Sequence, residues 1–416
     1  MNQKNMIKFF LSTIGIMKAL ILACILPGLL TGLKAAAATA DKISINPYGQ
    51  EYQSILDKYV KQGLTGAVLL VRTREEGTWI GTAGYSRLED RTPMRPDSVF
   101  YALSSTKSYT ATATLMLRDR GLIDLDAKID LYLSRDITDR IANGHTATVR
   151  HLLTHTSGIP DWERHIDFVD PWNNPFGQTW REYLEVVYDE PALFAPGTGW
   201  EYTDVNYLLV ALIIDNLVGD HARFFSDNIF QPLGLHHTYY KLEPGLPRPP
   251  GLANVYVDRF GDGAIENMTD IISAVSFNSA RGYSGILADL TDKATFMEAL
   301  AGGALLSPEA WEEMTKPAFP GFEWYGLGID LIQLQDAMGN NHSFYEMAGS
   351  GIDGLTQTRT SPQAGVTVSL ATNIGTHNRP LSRELFYKIL NEVTEFVMKQ
   401  RGQIPEDYAT DQDFMK

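Results

Sequence analysis

The pattern of apolar and polar positions divides the chain into strand-like ends and a helical middle. Short apolar runs bounded by glycines and polar turns predict strands at residues 65–71, 78–84, 325–334 and 365–373. Apolar residues at helical spacing predict helices at residues 50–62, 289–300 and 380–401, and helical signals dominate from about 104 to 240. Strands at both ends with helices between them predict an α+β fold, in which a helix-flanked sheet stands beside an all-helical lobe.

The first 40 residues differ from the rest of the chain and resemble a targeting segment. They contain no acidic residue, and lysines precede an apolar run from Ala19 to Leu30. Ala38 and Ala40 offer the small residues that a signal peptidase accepts. We therefore predict a secretory signal peptide at 1–40 and a mature protein in the periplasm or outside the cell. An uncleaved membrane anchor is the alternative, and Leu22 makes the sequence before Cys24 a poor lipid-attachment site.

Composition narrows the function classes that remain. The 416 residues carry a formal net charge of −15, which argues against a nucleic-acid binder because such a protein needs a basic surface. A single cysteine excludes an intramolecular disulfide framework and a cysteine-rich metal site. We assign residues 41–402 to one two-lobed domain, with the helical lobe at roughly 104–240, and residues 403–416 to a polar tail.

A serine and a lysine with catalytic spacing occur at a predicted helix start. Ser104 and Lys107 are three residues apart, so they share one face of the helix that runs to about Arg120. A serine hydroxyl becomes a good nucleophile only when a base removes its proton, and a lysine of lowered pKa can be that base. The helix N-terminus adds N–H groups that suit a developing oxyanion. On this motif alone, the alternative is a capping serine beside a surface lysine.

A tyrosine stands just before a second predicted helix. Pro196 and Gly197 mark a turn, Tyr202 follows, and the apolar run 208–217 predicts a buried helix. A phenol near a cationic lysine can move protons between a nucleophile and a leaving group. The alternative is a packed tyrosine whose hydroxyl has one structural partner.

Two histidines have the spacing of zinc ligands without the residue that zinc hydrolysis needs. His151 and His155 are separated by four positions, but no glutamate follows the first of them. We therefore interpret both as structural residues and predict no metal site.

Together these segments resemble the serine β-lactamase and penicillin-binding-protein superfamily. The similarity runs from about residue 50 to 395 and is greatest to the branch of class C β-lactamases, D-Ala-D-Ala carboxypeptidases and esterases. The segments that carry it are Gly84-Tyr85, Ser104 to Lys107, Gly121 to Asp126, His151 to Gly158, Pro196 to Tyr207, and Tyr325 to Gly328. The resemblance implies a β-lactamase/transpeptidase-like fold, an antiparallel sheet with a helical lobe, and no cofactor.

The resemblance also assigns roles to individual residues. Ser104 would be the acylated nucleophile, Lys107 its general base, and Tyr202 the proton shuttle. The backbone N–H groups of Ser104 and Ser350 would form the oxyanion hole, and Gly349 would lie in the substrate-binding strand.

Two of the substrate-binding positions depart from the family pattern. Asp204 stands where the family has asparagine, and a carboxylate cannot donate the hydrogen bond that an amide gives. An aspartate there would also stabilise the charged form of Lys107. Met347 stands where the family has lysine or histidine. Both changes weaken recognition of a substrate carboxylate, on which penicillin and D-Ala-D-Ala binding depend.

The sequence thus predicts a secreted serine hydrolase that acts on an ester or a peptide-like amide, a range that includes a D-alanyl-D-alanine carboxypeptidase-like activity. Its partners would be small-molecule or peptide-like substrates, with no nucleic acid and no stable membrane insertion after signal cleavage. The alternative is a catalytically weak relative that serves as a binding or scaffold protein. The sequence sets neither the oligomeric state nor the physiological substrate.

Overall fold

The computed structural model describes residues 46–400, except for 166–169, 176, 242–246 and 336–340. The predicted signal segment 1–40 and the predicted tail 403–416 therefore lie outside the described residues. Within the described ranges, no helix is both long enough and apolar enough to span a bilayer.

The elements follow the predicted order of strands, helices and strands. The helices are α1 Gly49–Val60, α2 Thr106–Asp119, α3 Arg135–Thr138, α4 Val149–Leu153, α5 Trp180–Glu185, α6 Asp204–Val218, α7 His221–Phe225, α8 Gln231–Leu233, α9 Thr269–Ser279, α10 Leu290–Ala301, α11 Pro308–Met314 and α12 Pro380–Gln400. The strands are β1 Gly66–Thr73, β2 Gly77–Arg87, β3 Thr92–Pro93, β4 Phe100–Tyr101, β5 Tyr239–Tyr240, β6 Tyr256–Asp258, β7 Ile265–Asn267, β8 Ile286–Ala288, β9 Asp330–Gln335, β10 Asn341–Ser350, β11 Leu355–Ser361 and β12 Val366–Thr372.

A seven-stranded antiparallel sheet joins the two ends of the chain. Its strand order is β3-β2-β1-β12-β11-β10-β9, so the first long strand pairs with the last. Leu69 and Val71 face a core formed with α1 and α12, whereas Val68 and Leu70 face α10. This alternation is the two-residue period of a strand that is covered on both faces. The prediction of an antiparallel sheet flanked by helices is confirmed.

A larger apolar core lies among the helices between β4 and β9. It includes residues of α2, α4 and α6, and α6 is buried along most of its length. One edge of this core meets the sheet through the turn Leu103–Ser105, which lies against β10 and β11. The boundary between helices and sheet therefore falls at the predicted nucleophile.

The predicted strand at 325–334 is shorter than expected. Only Asp330–Gln335 is a strand, because residues 325–328 form a turn against α2. Gly328 has a positive φ of 68°, and a Cβ there would lie 2.9 Å from the carbonyl oxygen of Lys107. A close approach of this kind requires glycine, and an apolar pattern alone does not reveal it.

Replacing Arg359 with methionine should destabilise the fold strongly. Arg359 and Glu346 are cross-strand neighbours on β11 and β10, their charged groups are 2.6 Å apart, and both side chains are buried. Loss of the arginine would leave a buried carboxylate without its cation, which costs about 3–5 kcal/mol. Urea unfolding of R359M measures this loss.

A surface pair provides the control. Lys58 and Glu392 form an exposed ion pair at 2.9 Å, so Lys58→Met should cost about 1 kcal/mol or less because solvent screens the charges. Equal losses in the two variants would contradict the assigned role of the buried pair.

Candidate active site

Ser104 lies in a tight turn at the junction of helices and sheet. The turn Leu103–Ser105 is a 3₁₀ helix that leads directly into α2, so Lys107 falls in the first turn of α2. Leu103 has a positive φ of 53°, an uncommon conformation for a residue with a side chain. Such strain occurs where the surrounding structure holds a residue in a required position.

Lys107 is bonded to three oxygen atoms at once. Its Nζ lies 3.1 Å from Ser104 Oγ, 2.5 Å from Asp204 Oδ1 and 3.2 Å from the carbonyl oxygen of Tyr283. An ammonium has three protons, so these bonds saturate its charged form. Burial lowers the pKa of Lys107, but the negative charge of Asp204, the neighbouring Tyr202 and the bond to Asp204 outweigh it and hold that pKa above its usual value.

Tyr202 lies beside the lysine and its phenol is protonated at neutral pH. Its ring centroid is 4.7 Å from Lys107 Nζ and 4.3 Å from the ring centroid of His155. Burial raises the pKa of Tyr202 to about 12, against the opposing influence of the Lys107 charge and of hydrogen bonds with Lys107 and Ser104. The residue remains 39% exposed, so a ligand can reach the ring.

Asp161, which the sequence did not single out, binds the backbone of Asp204. Asp161 accepts hydrogen bonds from the backbone N–H groups of Asp204 and Glu163. Burial, with a further contribution from the charge of Asp204, raises the pKa of Asp161 to about 7. Asp161 caps the short helix that follows it, and this capping position was the signal available in the sequence.

A buried histidine fixes the segment that carries Tyr202. Nδ1 of His155 accepts from the backbone N–H of Thr203 at 3.2 Å, so Nε2 carries the proton and donates to Tyr325 at 3.1 Å. Asn206 contacts the same Nδ1 and accepts from Ser157 Oγ. Burial and then the Lys107 charge hold the pKa of His155 well below its usual range. His155 is therefore neutral and structural.

His151 also has a structural partner. Its Nδ1 accepts from the backbone N–H of Thr148 at 3.1 Å in a helix cap. Elsewhere in the described residues, one group has the separation of metal ligands, namely Asp215, Asp220 and His221. Within it, Asp215 already binds Arg281 at 2.6 Å and the imidazole of His221 at 2.7 Å. Both partners compete with a cation for the same carboxylate.

Gly349 allows β10 to approach the nucleophile turn. A Cβ at this position would lie 2.4 Å from the carbonyl oxygen of Ala102 and 2.9 Å from Cβ of Leu103. The approach brings Ser350 and Ser104 to the wall of the same cavity. Their backbone N–H groups therefore remain our predicted oxyanion hole.

Replacing Gly349 with alanine should displace β10 from this turn. The added methyl group must move a backbone oxygen, because no flexible side chain is available to yield. We expect a loss of about 1–3 kcal/mol in stability and about a tenfold loss of kcat. Gly303→Ala is the control: a Cβ there meets nothing within 4 Å, but the positive φ of 78° strains an alanine, so it should lose about 1–2 kcal/mol in stability at unchanged kcat. Unchanged kcat in G349A would contradict the close approach.

The cavity beside Ser104 has a volume of about 480 Å³ and aromatic walls with acidic groups. The aromatic residues that line it are Trp162, Trp172, Tyr183, Phe260, Tyr283 and His377. Its carboxylates are Glu163, Asp170, Asp204 and Asp353, and Arg259 is its one arginine or lysine among the described residues. Burial raises the pKa of Asp353 to about 7. A neutral or cationic ligand suits this lining better than a carboxylate.

Met347 does not face the cavity as a substrate-binding position would. It is 1% exposed and belongs to the core among the helices, whereas Ser350 supplies the cavity wall on β10. The sequence motif placed Met347 near the substrate, but an apolar side chain at this position gains more by burial than by facing solvent. Its carbonyl oxygen accepts a long hydrogen bond of 3.4 Å from Ser105 Oγ.

The chain is similar to known proteins of one family. The profile of the Beta-lactamase family matches residues 52–389. The putative penicillin-binding protein PbpX of Bacillus subtilis is 29% identical over 277 residues, which cover 66% of this chain and 64% of PbpX. Esterase EstB of Burkholderia gladioli is 30% identical over 208 residues, which cover 47% of this chain and 53% of EstB. The chain thus spans less than two thirds of either relative.

Solved structures share the fold. The D-amino acid amidase of Ochrobactrum anthropi SV3 superposes with a TM-score of 0.68 at 23% identity. The superposition covers 83% of this chain and 98% of the amidase chain.

Proposed function

The chain belongs to the β-lactamase family, and on that premise we propose that it is a serine hydrolase that forms an acyl-enzyme on Ser104. The observation that carries this proposal is the 3.1 Å contact between Ser104 Oγ and Lys107 Nζ at the wall of an open cavity. Tyr202 lies next to the same lysine. A nucleophile, a base and a proton donor therefore meet within reach of a bound substrate.

Acylation would begin with the neutral form of Lys107. The lysine takes the proton of Ser104, and Oγ forms a bond to the substrate carbonyl carbon while the carbonyl oxygen becomes an oxyanion. The backbone N–H groups of Ser104 and Ser350 stabilise that charge. When the intermediate collapses, the bond to the leaving group breaks. The Tyr202 phenol then gives its proton to the leaving group and is reprotonated from Lys107.

Deacylation would use the same groups in reverse. Water loses a proton to the Tyr202 and Lys107 pair and attacks the ester carbon of the acyl-enzyme. The bond to Ser104 Oγ then breaks, and Oγ recovers its proton as the acid product leaves.

We propose esters and peptide-like amides as the substrates. The cavity is lined by four carboxyl groups and one arginine. Asp204 is paired with Lys107 and burial raises the pKa of Asp353 to about 7, but the remaining balance still disfavours a substrate that carries its own carboxylate. The names of two relatives, an esterase and a D-amino acid amidase, are consistent with this range. Recognition in the manner of a D-alanyl-D-alanine carboxypeptidase would require a bound carboxylate, which this lining does not favour.

A substrate panel tests the proposal on residues 41–416. It compares p-nitrophenyl acetate, D-phenylalanine amide, a chromogenic cephalosporin and a D-Ala-D-Ala peptide. We expect turnover of the ester and the amide, and slower reaction with the two substrates that carry a carboxylate. Binding of these compounds without turnover of any would instead support the alternative of a catalytically weak binding protein.

We also propose export, with cleavage within the Ala-rich end of residues 1–40. The absence of acidic residues and the apolar run in this segment support the proposal. N-terminal sequencing of the protein recovered from the periplasm or the medium tests it. Recovery of the intact chain in the membrane fraction would favour an uncleaved anchor instead.

A further inference from the structure

A lysine without an acidic partner is buried behind the nucleophile turn. Lys293 on α10 is 1% exposed, and its Nζ lies 2.6 Å from Thr356 Oγ1 and 3.2 Å from Ser105 Oγ. Within the described part of the chain, no carboxylate forms an ion pair with it. Burial lowers the pKa of Lys293 to about 7. A buried amine of this kind is costly, because water solvates it in the unfolded chain.

The surroundings of Lys293 would suit an apolar residue. Leu290, Ala294 and Met297 lie on the same helix at neighbouring or helical spacing and are fully buried. A leucine or methionine at position 293 would continue this apolar face without the cost of a buried amine. Residues that break a local rule in this way are expected where function requires them.

The two acceptors of Lys293 lie in the nucleophile turn and in the strand next to β10, the two sides of the predicted oxyanion hole. Ser105 directly follows Ser104 in the nucleophile turn. Thr356 on β11 is paired with Gly349 on β10, and Ser350 follows Gly349. One amine therefore joins the nucleophile turn, which supplies the N–H of Ser104, to β11, the strand paired with the β10 segment that supplies the N–H of Ser350.

Apart from the bonds of Lys293, a single side-chain hydrogen bond joins the nucleophile turn to β10 or β11 among the described residues. The direct bond between them runs from Ser105 Oγ to the carbonyl oxygen of Met347 and is long, at 3.4 Å. An oxyanion hole needs two N–H groups held about 3 Å from one point, so the spacing of the two segments must be fixed. One buried amine bonded to Ser105 at 3.2 Å and to Thr356 at 2.6 Å meets that requirement.

We infer that Lys293 is a positioning residue, which bonds Ser105 and Thr356 together and thereby fixes the N–H groups of Ser104 and Ser350 for the oxyanion. This inference rests on the proposed function, because it concerns the rate of attack by Ser104. Lys293 touches neither substrate nor nucleophile. Lys293 affects the rate by fixing the spacing of the two N–H groups of the oxyanion hole.

Charged groups on the packed elements have partners of their own. On α10, Asp292 accepts from the backbone N–H of His237, and Asp289 contacts the imidazole of His237. On α2, Lys107 pairs with Asp204. On β10 and β11, Glu346 pairs with Arg359. Titration of Lys293 is therefore governed by its own burial.

Because its pKa is lowered on folding, Lys293 makes the free energy of unfolding depend on pH. The unfolded chain binds a proton on Lys293 up to about pH 10, whereas the folded chain releases it near pH 7. The free energy of unfolding therefore rises with pH between these values. Below pH 7 the buried amine is charged, and its full destabilising effect is present. We expect Lys293→Met to raise the melting temperature most at pH 6, with a difference that shrinks toward pH 10.

The test measures kcat, KM and the rate of acylation by a fluorophosphonate in Lys293→Met of residues 41–416. We expect about a tenfold fall in kcat and in acylation rate at unchanged KM, with no fall in melting temperature at pH 7. Lys241→Met is the matched control. Lys241 is also largely buried with a pKa lowered to about 8, but it donates to the carbonyl oxygen of Phe277. Its kcat should not change.

A second variant leaves the lysine in place and separates positioning from packing. Ser105→Ala removes one acceptor of Lys293, and we expect a similar fall in kcat. Because both changes break the same link, the double variant should be no slower than either single variant. A double variant whose fall in kcat equals the product of the two single falls would overturn the inference. A K293M variant in which kcat and the melting temperature fall together would overturn it as well.

The proposed function and the inference fail in different ways. Labelling of the wild type with an unchanged rate in K293M and S105A would overturn the inference and leave the hydrolase proposal standing. Absence of labelling in the wild type would overturn both.

Discussion

Replacing Lys107 with methionine will lower kcat/KM for p-nitrophenyl acetate by roughly a thousandfold. Lys107 is the one basic side chain in direct contact with Ser104 among the described residues, at 3.1 Å. Without it, the serine proton has no acceptor and Tyr202 has no group from which to recover its own proton. Steady-state kinetics at pH 8, with Ser104→Ala as the reference for complete loss, measures the effect.

A double variant separates the lost base from a damaged fold. Lys107→Met leaves Asp204, only 15% exposed at its side chain, without the cation that it binds. An unpaired buried carboxylate costs about 3–5 kcal/mol. Lys107→Met with Asp204→Asn removes both charges and should recover most of the stability while remaining inactive. Recovery of activity in the double variant would show that Lys107 is not the base.

Replacing Asp204 with asparagine will raise activity at neutral pH. The 2.5 Å bond to Asp204 helps to hold the pKa of Lys107 above its usual value, so little of the lysine is neutral at pH 7. Each unit by which that pKa falls raises the neutral fraction tenfold. Because a base of lower pKa is also intrinsically weaker, we expect a net gain of about ten- to a hundredfold in kcat/KM at pH 7.

The dependence of kcat/KM on pH should differ between the wild type and D204N. In the wild type, kcat/KM should rise with pH through the whole range from 6 to 9, because the base becomes neutral only above that range. In D204N, kcat/KM should stop rising at a lower pH than in the wild type, because Lys107 loses its proton at a lower pH. The asparagine amide can also donate to a substrate carbonyl, which should improve reaction with the chromogenic cephalosporin.

Another buried aspartate serves as the control for this variant. Asp258 is 4% exposed and pairs with Arg379 at 3.3 Å. Asp258→Asn should leave the pH profile unchanged, since its charge is not bonded to Lys107. An identical profile in the wild type and D204N would contradict the assignment of Lys107 as the base restrained by Asp204.

The parts of the site that were predictable from the sequence are those fixed by local spacing. Ser104 and Lys107 are close because one helix turn separates them, and the sequence shows that distance directly. The sheet and its covering helices were predictable from the spacing of the apolar residues and the length of the apolar runs. The family motifs then indicated that Tyr202 and Asp204 would join them, a contact between distant segments that no local pattern contains.

The parts that were not predictable depend on contacts between distant segments. Asp161 meets Asp204, His155 meets Tyr325, and Lys293 meets Thr356 only after segments that are distant in the sequence pack together. A lone lysine in an apolar helix pattern looks like a surface residue, because such charges are seldom buried. Its burial becomes visible only when the faces of α10 are assigned.

The most direct test of the account is the covalent adduct that a fluorophosphonate forms with residues 41–416. Peptide mass spectrometry after labelling should find one modified residue, Ser104, and the label should be absent in Ser104→Ala and nearly absent in Lys107→Met. An unlabelled wild-type protein that is fully folded, or a label on a residue other than Ser104, would contradict the claim that this chain is a serine hydrolase with Ser104 as its nucleophile.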